Sequence, residues 1–137
     1  AVLPQVMITE VVRGEDRPRY RYRLFGTGMV EAAGFDPTWR FLDEVLPGSY
    51  GTYVLELYDE MIRARRPLYS ESDYVALGAP QSTERTTQRL MLPMADDDGE
   101  VRSILSGQTF DRPQPLHARP ILKDGPYRER LRVFVED

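Results

Sequence analysis

The 137-residue sequence contains no cysteine. This absence excludes disulfides, thiolate nucleophiles, Cys-ligated zinc, iron–sulfur clusters, and flavin or chromophore groups attached through cysteine. Histidine is nearly absent as well, because His117 is the only one, and it lies in a proline-rich stretch near the C-terminus. A haem would need an axial ligand on or beside the principal predicted helix, where only Tyr53 and Tyr58 are available, so haem is disfavoured. Non-covalent flavin stays open, and the cofactor is unknown.

Long hydrophobic runs and an excess of positive charge are also missing. No apolar segment approaches the roughly 18 residues of a membrane helix, and the N-terminal residues do not resemble a signal peptide. The net charge is -4, and the basic residues, all arginine apart from Lys123, are spread along the chain. We therefore expect a cytoplasmic protein that binds neither membranes nor nucleic acids.

The bulk composition predicts one globular domain. Hydrophobic residues make up 41% of the chain and charged residues 29%, which is typical of a folded protein of this length. Prolines are frequent after Asp111. We therefore predict a domain over residues 3–111 and a proline-rich C-terminal tail over residues 112–137. The last part of this tail, from Tyr127 to Val135, is expected to form a short strand or helix.

Two strands are predicted near the N-terminus. Residues 6–12 are rich in β-branched side chains, and a turn-like Arg-Gly-Glu-Asp sequence follows them. In the next segment, residues 19–25, tyrosine and leucine alternate strictly with arginine. Alternation with a period of two places Tyr20 and Tyr22 on one face of a strand and the arginines on the other. The two segments together predict a β-hairpin.

Glycine and proline then divide a helical region. Gly34 is placed to end a short helix over residues 29–33 in the left-handed conformation, and the Asp-Pro pair at 36–37 predicts the start of a second helix over 38–46. The strongest helical pattern covers residues 52–66, where apolar side chains recur at i, i+3, i+4 and i+7. A proline directly after this segment ends the helix.

The second half of the chain predicts three antiparallel strands. Segments 68–77, 84–95 and 101–110 are separated by a Gly-Ala-Pro turn and by the acidic sequence Asp-Asp-Asp-Gly at 96–99. The acidic turn lacks the alternating ligand spacing of a calcium loop, so we predict a solvent-exposed β-turn and no metal site. The chain as a whole is predicted to have an α+β fold with one antiparallel sheet and helices on one face.

Several short motifs occur in a characteristic order within residues 3–111. They are Tyr22-Arg23-Leu24, Gly26-Thr27, Gly34, Asp36, Arg66-Pro67, Leu92-Pro93 and Asp98-Gly99. With the predicted elements, this order resembles a PAS domain, and more narrowly a bacterial single-domain PAS subfamily formerly described only as a domain of unknown function. Trp39 departs from the pattern, because relatives often carry glycine there. We expect a better-formed helix or a more crowded pocket at this point.

The resemblance implies a five-stranded antiparallel sheet and a non-catalytic sensory or signalling module. PAS domains typically hold a small molecule between the long helix and the concave sheet face, and many transmit signals through dimerisation, whereas some hold no ligand. We therefore expect a homodimer that binds a small molecule, a protein partner such as another signalling protein, or both. The alternative is a small α+β cone-fold enzyme, an isomerase or dehydratase, that uses a buried Asp–Tyr pair.

The predicted ligand pocket lies between the long helix and the fourth strand. Its candidate lining residues are Tyr58, Met61, Leu90, Leu92 and Trp39. The alternative is that the aromatic side chains of the domain simply fill its core, since aromatic residues supply much of the buried area of a small domain.

Five arginines are candidates for a partner-binding surface on the outer side of the sheet. They share one face of each of two strands and are Arg19, Arg21, Arg23, Arg85 and Arg89. If the two faces coincide, they form a patch suited to a partner, because arginine is enriched in interfaces. The alternative is a solvent-exposed face on which these arginines pair with Glu10 and Glu84, which adds little stability.

Overall fold

The computed structural model describes residues 5–46, 48–74, 84–111 and 127–136. Within these ranges the chain forms an α+β fold. Its strands and helices, in chain order, are β1 (Val6–Val12), β2 (Arg19–Phe25), α1 (Thr27–Ala33), α2 (Leu42–Val45), α3 (Gly48–Ala64), β3 (Leu68–Tyr74), β4 (Arg85–Ala95), β5 (Val101–Phe110) and β6 (Tyr127–Phe134). The last three residues of the predicted strand 68–77 and the single histidine, His117, lie outside the described residues.

The described strands form one antiparallel sheet in the order β2-β1-β5-β4-β3-β6. The sheet has one strand more than the five predicted, because β6 pairs with β3 along its whole length, from Tyr74 opposite Tyr127 to Leu68 opposite Phe134. The predicted boundary after Asp111 therefore assigns to a tail a strand that belongs to the sheet.

Ion pairs hold β6 to its neighbours in addition to the backbone hydrogen bonds. Asp73 of β3 is almost fully buried and accepts hydrogen bonds from Thr86 (2.6 Å) and Arg128 of β6 (2.7 Å). Burial disfavours its charged form, but these hydrogen bonds outweigh that effect, so the pKa of Asp73 lies below its ordinary value. Further along β6, Arg132 pairs with Glu60 of α3.

The short helices follow the prediction in part. α1 ends at Gly34, whose φ of 84° is left-handed as predicted. The predicted helix over residues 38–46 is reduced to α2, because Trp39 has a φ of 73° and a left-handed residue interrupts a helix. Asp36 does not begin a helix here. Its carboxylate accepts a hydrogen bond from the backbone N–H of Thr38 (3.0 Å) and closes a turn instead.

The chain around Trp39 also covers the free edge of β2. The backbone N–H of Trp39 donates to the carbonyl of Tyr22 (2.7 Å), and the N–H of Tyr22 donates to the carbonyl of Arg40 (3.0 Å). The Trp39 ring lies outside the core, with the guanidinium of Arg23 4.8 Å from its centroid. Trp39 therefore produces neither the longer helix nor the crowded pocket that was predicted.

α3 packs across the sheet and supplies a large part of the core. It begins at Gly48, four residues earlier than predicted, and Gly51 allows the close approach this requires, since a Cβ there would lie 1.9 Å from the carbonyl oxygen of Leu46. Leu57 and Met61 on its buried face are fully enclosed by the hydrophobic cluster on this side of the sheet. None of the helices in the described ranges has the length and apolarity needed to cross a membrane.

The acidic sequence between β4 and β5 is a β-turn, as predicted. The N–H of Gly99 donates to the carbonyl of Asp96 (3.0 Å), and Gly99 adopts a φ of 80°. The Asp96 carboxylate accepts from the N–H of Asp98 (3.0 Å) and pairs with Arg102 (2.7 Å). Among the residues that the structure describes, no three His, Cys, Asp or Glu side chains are grouped to hold a metal ion.

Candidate functional site

The face of strands β3, β4 and β5 that points toward α3 is buried and mostly polar. The polar residues on it are Ser70, Ser72, Arg85, Thr87, Arg89, Ser106 and Gln108. The residues that alternate with them face away from α3 and include leucines. Polar groups are costly to bury unless they are paired, so a buried set of this size indicates a role beyond packing.

Arg89 lies at the centre of this inner polar set. Only 4% of its surface is exposed. Its guanidinium donates from Nη1 to Ser70 Oγ (3.4 Å) and from Nη2 to the Tyr50 hydroxyl (3.3 Å), and both acceptors are neutral. No carboxylate of the described residues pairs with it. Because a guanidinium stays charged in proteins, Arg89 places inside the molecule a positive charge that no carboxylate of the described residues compensates.

A cavity of about 30 Å³ adjoins Arg89, between α3 and the sheet. Its polar lining consists of Tyr22, Tyr50, Tyr58, Arg89 and Gln108, and its apolar lining of Met7, Phe25, Met29, Leu46 and Val54. One enclosed water needs roughly 10–15 Å³ measured in this way, so the cavity accommodates about two water-sized groups.

Three tyrosines, Tyr22, Tyr50 and Tyr58, contribute to the lining of the cavity. Burial raises the pKa of Tyr22 well above its ordinary value, and the neighbouring Tyr58 adds to the shift. Tyr50 is held from behind by Tyr74, whose ring stacks on it with 4.4 Å between centroids. The cavity therefore combines hydroxyl groups, which donate or accept, with one permanent cation.

A second arginine is buried on the same face of β4. Arg85 is 5% exposed, and its guanidinium lies over the ring of Phe110, 4.2 Å from the centroid. Burial lowers the pKa of Arg85. The contact with the ring compensates part of the cost of burying the charge. The inner face of the sheet thus carries two positive charges close in sequence.

Acid–base chemistry by a carboxylate would need an aspartate or a glutamate in the wall of the cavity. Neither aspartate nor glutamate is among the described residues that line it. An Asp–Tyr pair occurs elsewhere, where Tyr20 donates to Asp59 (2.5 Å), and burial together with this hydrogen bond raises the pKa of Tyr20. Asp59 also pairs with the exposed Arg17, and neither member of the Asp–Tyr pair borders the cavity.

The five predicted pocket residues do not come together. Tyr58 lines the cavity, and Met61, three residues further along α3, is buried in the core without bordering the cavity. Leu90 is 39% exposed and lies with Leu92 on the opposite face of the sheet, so their predicted place in the pocket is wrong. Trp39, 55% exposed in its turn beside β2, is also outside the pocket.

The five predicted interface arginines are divided between the two faces. Three remain on the outer face of β2, namely Arg19, Arg21 and Arg23, where they pair with acidic residues such as Glu10, 2.7 Å from Arg21. Arg85 and Arg89 are buried on the inner face. The predicted common patch is therefore wrong, because the arginines of β4 point inward and its leucines outward.

The outer face of the sheet carries an apolar strip instead. We use "outer strip" for the side chains that cross the sheet in register, which are Leu24, Ile8, Leu105 and Leu92 in one row and Val6, Leu90, Tyr69 and Val133 in the next. A groove of about 360 Å³ lies in the second row, lined in part by Val6, Leu90 and Gly107. A Cβ on Gly107 would meet no atom within 4 Å, so this glycine leaves the groove open.

Sequence reasoning missed Tyr50 and Gln108 and placed Arg89 on the wrong face. The available signal was the number of tyrosines in the predicted core, since each buried hydroxyl needs a polar partner. The chain matches no protein-family model and no curated protein. A function for it therefore has to be argued from the cavity and the outer strip.

Proposed function

We propose that this protein is a non-catalytic sensory module of the PAS type that binds a small molecule in the cavity between α3 and the sheet. The observation that carries the proposal is the buried polar lining of this cavity, centred on Arg89. The order of two strands, three helices and then strands β3, β4 and β5 supports the PAS assignment, and β6 is an additional strand. The place of the cavity supports it too, because PAS domains typically hold ligands between the long helix and the sheet.

The size of the cavity limits what enters it. Sites for drug-sized ligands measure roughly 300–1,000 Å³, whereas this cavity holds about 30 Å³. It therefore suits the head group of a small molecule. Met7 and Met29 on its wall are the side chains best able to make room for more, because methionine is unbranched and changes conformation easily.

We propose further that the outer strip joins two copies of the chain into a cytoplasmic homodimer that signals to another protein. Leu90 projects beside the groove at Gly107, so one surface offers both a protruding side chain and a recess. A two-fold interface brings the same patch of both copies together and therefore needs such self-complementarity. The strip also crosses most of the sheet, and an extended surface is what a stable interface needs, since such interfaces bury roughly 800 Å² on each partner.

Ligand binding can reach the outer strip through a single layer of backbone. Arg89 and Gln108 border both the cavity and the groove, and Leu90 and Gly107 are their neighbours in sequence. A ligand that moves Arg89 also shifts the backbone that carries Leu90. It can then favour one dimer packing over another, provided that it binds the two with different affinity.

A fragment screen by protein-observed NMR tests the ligand site. We expect fragments that bind to shift the ring signals of Tyr22, Tyr50 and Tyr58. Tyr69, on the outer face of the sheet, reports binding at the groove instead. Fragments that shift Tyr69 and leave the three cavity tyrosines unchanged would contradict the proposal.

Light scattering after size exclusion tests the dimer. We expect wild-type protein to be dimeric and Leu90→Asp to be monomeric, because the substitution places a charge in the outer strip. Met94→Asp is the matched control, since Met94 is 47% exposed on the same strand near the hairpin end. A wild-type protein that stays monomeric at high concentration would count against dimerisation.

A further inference from the structure

The charge on Arg89 indicates what the cavity binds. A buried ion without a partner of opposite charge costs several kcal/mol even after relaxation of its surroundings. Arg85, also buried, lies over the ring of Phe110, whereas several exposed arginines are paired with carboxylates, as in the two 2.8 Å hydrogen bonds from Arg19 to Asp43 and the 2.7 Å bond from Arg128 to Asp73. Arg89 is more deeply buried than Arg19 or Arg128 and yet has only neutral acceptors among the described residues.

The two hydrogen bonds of Arg89 leave capacity for a further partner. At 3.3 and 3.4 Å they are longer than the 2.9–3.0 Å typical of N–H···O bonds, so they hold the guanidinium weakly. A guanidinium has five N–H donors in a fixed planar fork, and this fork matches a carboxylate, which accepts two parallel bonds.

The remaining polar groups of the cavity suit the same partner. Tyr22, Tyr58 and Gln108 line the cavity with Arg89, and each carries a side-chain group that can donate a hydrogen bond. None of these groups is negatively charged. The space of about two water-sized groups matches a planar carboxylate better than a tetrahedral phosphate, which has more atoms to enclose.

We propose that the cavity binds the carboxylate of a small monocarboxylic acid, with Arg89 as its counter-ion and the tyrosine hydroxyls and Gln108 as additional donors. This inference rests on the proposed function, because it names the ligand class of the same cavity. The acid compensates the charge of Arg89 on binding. It also draws the guanidinium away from Ser70 and Tyr50, which is the local movement that the signalling proposal requires.

The test compares acids with amides of the same shape. The full chain is titrated with acetate and acetamide, and with propionate and propionamide. The buffer contains no other carboxylate and no chloride, and chloride is added only in the competition series. Binding is followed through the NMR signals of Tyr22, Tyr50 and Tyr58. We expect each acid to bind at least tenfold more tightly than its amide and to compete with chloride, a weaker ligand for the same cation.

Substitutions assign the effect to Arg89. Arg89→Met should fold, because it removes a buried charge and fills similar space, and should lose at least tenfold in acid affinity without losing amide binding. Arg89→Lys keeps the charge but not the fork, so we expect an intermediate affinity. Arg63→Met, at an exposed position of α3, is the control and should bind as wild type does.

The outcomes separate this inference from the proposed function. Equal binding of acids and amides, or full acid binding by Arg89→Met, would overturn the carboxylate proposal while leaving a ligand cavity in place. Binding of chloride alone would also overturn it. If neither acids nor amides bind wild-type protein at millimolar concentrations but other fragments occupy the cavity, only the ligand class is wrong. If nothing binds there, both proposals fail.

Discussion

Strand β4 carries charged side chains on its buried face and leucines on its outer face, the reverse of what most half-buried strands show. Toward α3 it presents Arg85, Thr87 and Arg89 beside Met91, and toward the outside it presents Leu90 and Leu92 beside the polar Thr86 and Gln88. Antiparallel sheets with one solvated face usually place apolar side chains inside and polar ones outside. The reversal lowers stability on both faces, since charges are desolvated inside and leucines hydrated outside. Residues that cost stability in this way are typical of binding surfaces.

The largest effect on stability is expected when neighbouring residues on the two faces of β4 are each replaced by alanine. Met91 is fully buried on the inner face and Leu92 is half-buried on the outer face. We expect Met91→Ala to lower the free energy of unfolding by about 2–5 kcal/mol, because it leaves a cavity, and Leu92→Ala to lower it by about 1 kcal/mol or less. Urea denaturation measures both. The reverse order would mean that the faces of β4 have been assigned the wrong way round.

The second comparison concerns the buried charge itself. Without added ligand, we expect Arg89→Met to raise the free energy of unfolding by about 1–3 kcal/mol, since an apolar side chain replaces a buried ion that no described carboxylate pairs with. Arg63→Met should change it by about 0.5 kcal/mol or less, because its position on α3 is exposed. Thermal and urea unfolding provide the measurement. Destabilisation by Arg89→Met would show that Arg89 stabilises the core and is not kept for binding a ligand.

The third comparison concerns how stability depends on pH where β3 pairs with the edge strand β6. The pKa of Asp73 is depressed, so its contribution to stability is complete above the unfolded-state value of 3.8 and is lost as the pH falls through the folded pKa. We expect Asp73→Asn to cost about 1–3 kcal/mol at pH 7, and the difference from wild type to shrink below pH 3.8.

Asp97→Asn, in the exposed turn between β4 and β5, is the control for this pH series and should follow wild type throughout. Unfolding is measured by urea titration at each pH. If the difference between Asp73→Asn and wild type did not change with pH, the ionised carboxylate would not be the group that holds β6.

The smallest effect is expected at Gly107 in the groove. A Cβ there meets no atom within 4 Å, and glycine in a strand costs roughly 0.5–1 kcal/mol relative to a residue with a side chain. Gly107→Val should therefore raise stability slightly, by about 0.5–1 kcal/mol, while it weakens the proposed dimer by filling the groove. Urea denaturation and light scattering test the two parts separately. A loss of stability would indicate that the groove is already filled.

Much of the fold could be predicted from local patterns. Gly34 ends α1 as predicted, because few residues other than glycine adopt its backbone conformation, and β5 has its predicted bounds because alternation and turn residues coincide there. Trp39 was not predictable in this way. A tryptophan with positive φ is held by contacts with β2, which a helical pattern does not reveal.

The site could not be predicted because an alternating pattern divides the side chains of a strand into two sets without showing which set faces the core. On β4 the pattern separates Arg89 from Leu90, but it does not say which of them faces α3. The general preference for buried leucine selected the wrong phase. The pairing of β6 was equally hidden, because half of its side chains are charged and Arg128 lies 55 residues from Asp73 in the sequence. Only the assembled sheet brings these groups together.

The backbone contacts of Trp39 and Arg40 with Tyr22 have a consequence for how this protein can assemble. They occupy the middle of the free edge of β2, so an incoming strand would have to displace them before it could add to the sheet. At the opposite edge, β6 presents exposed charges at Arg128, Glu129 and Arg130, which also discourage strand addition. Lateral, open-ended growth into fibres is thus opposed at both margins. Both edges therefore favour the proposed association through the outer strip, in which a pair of chains would form a closed dimer.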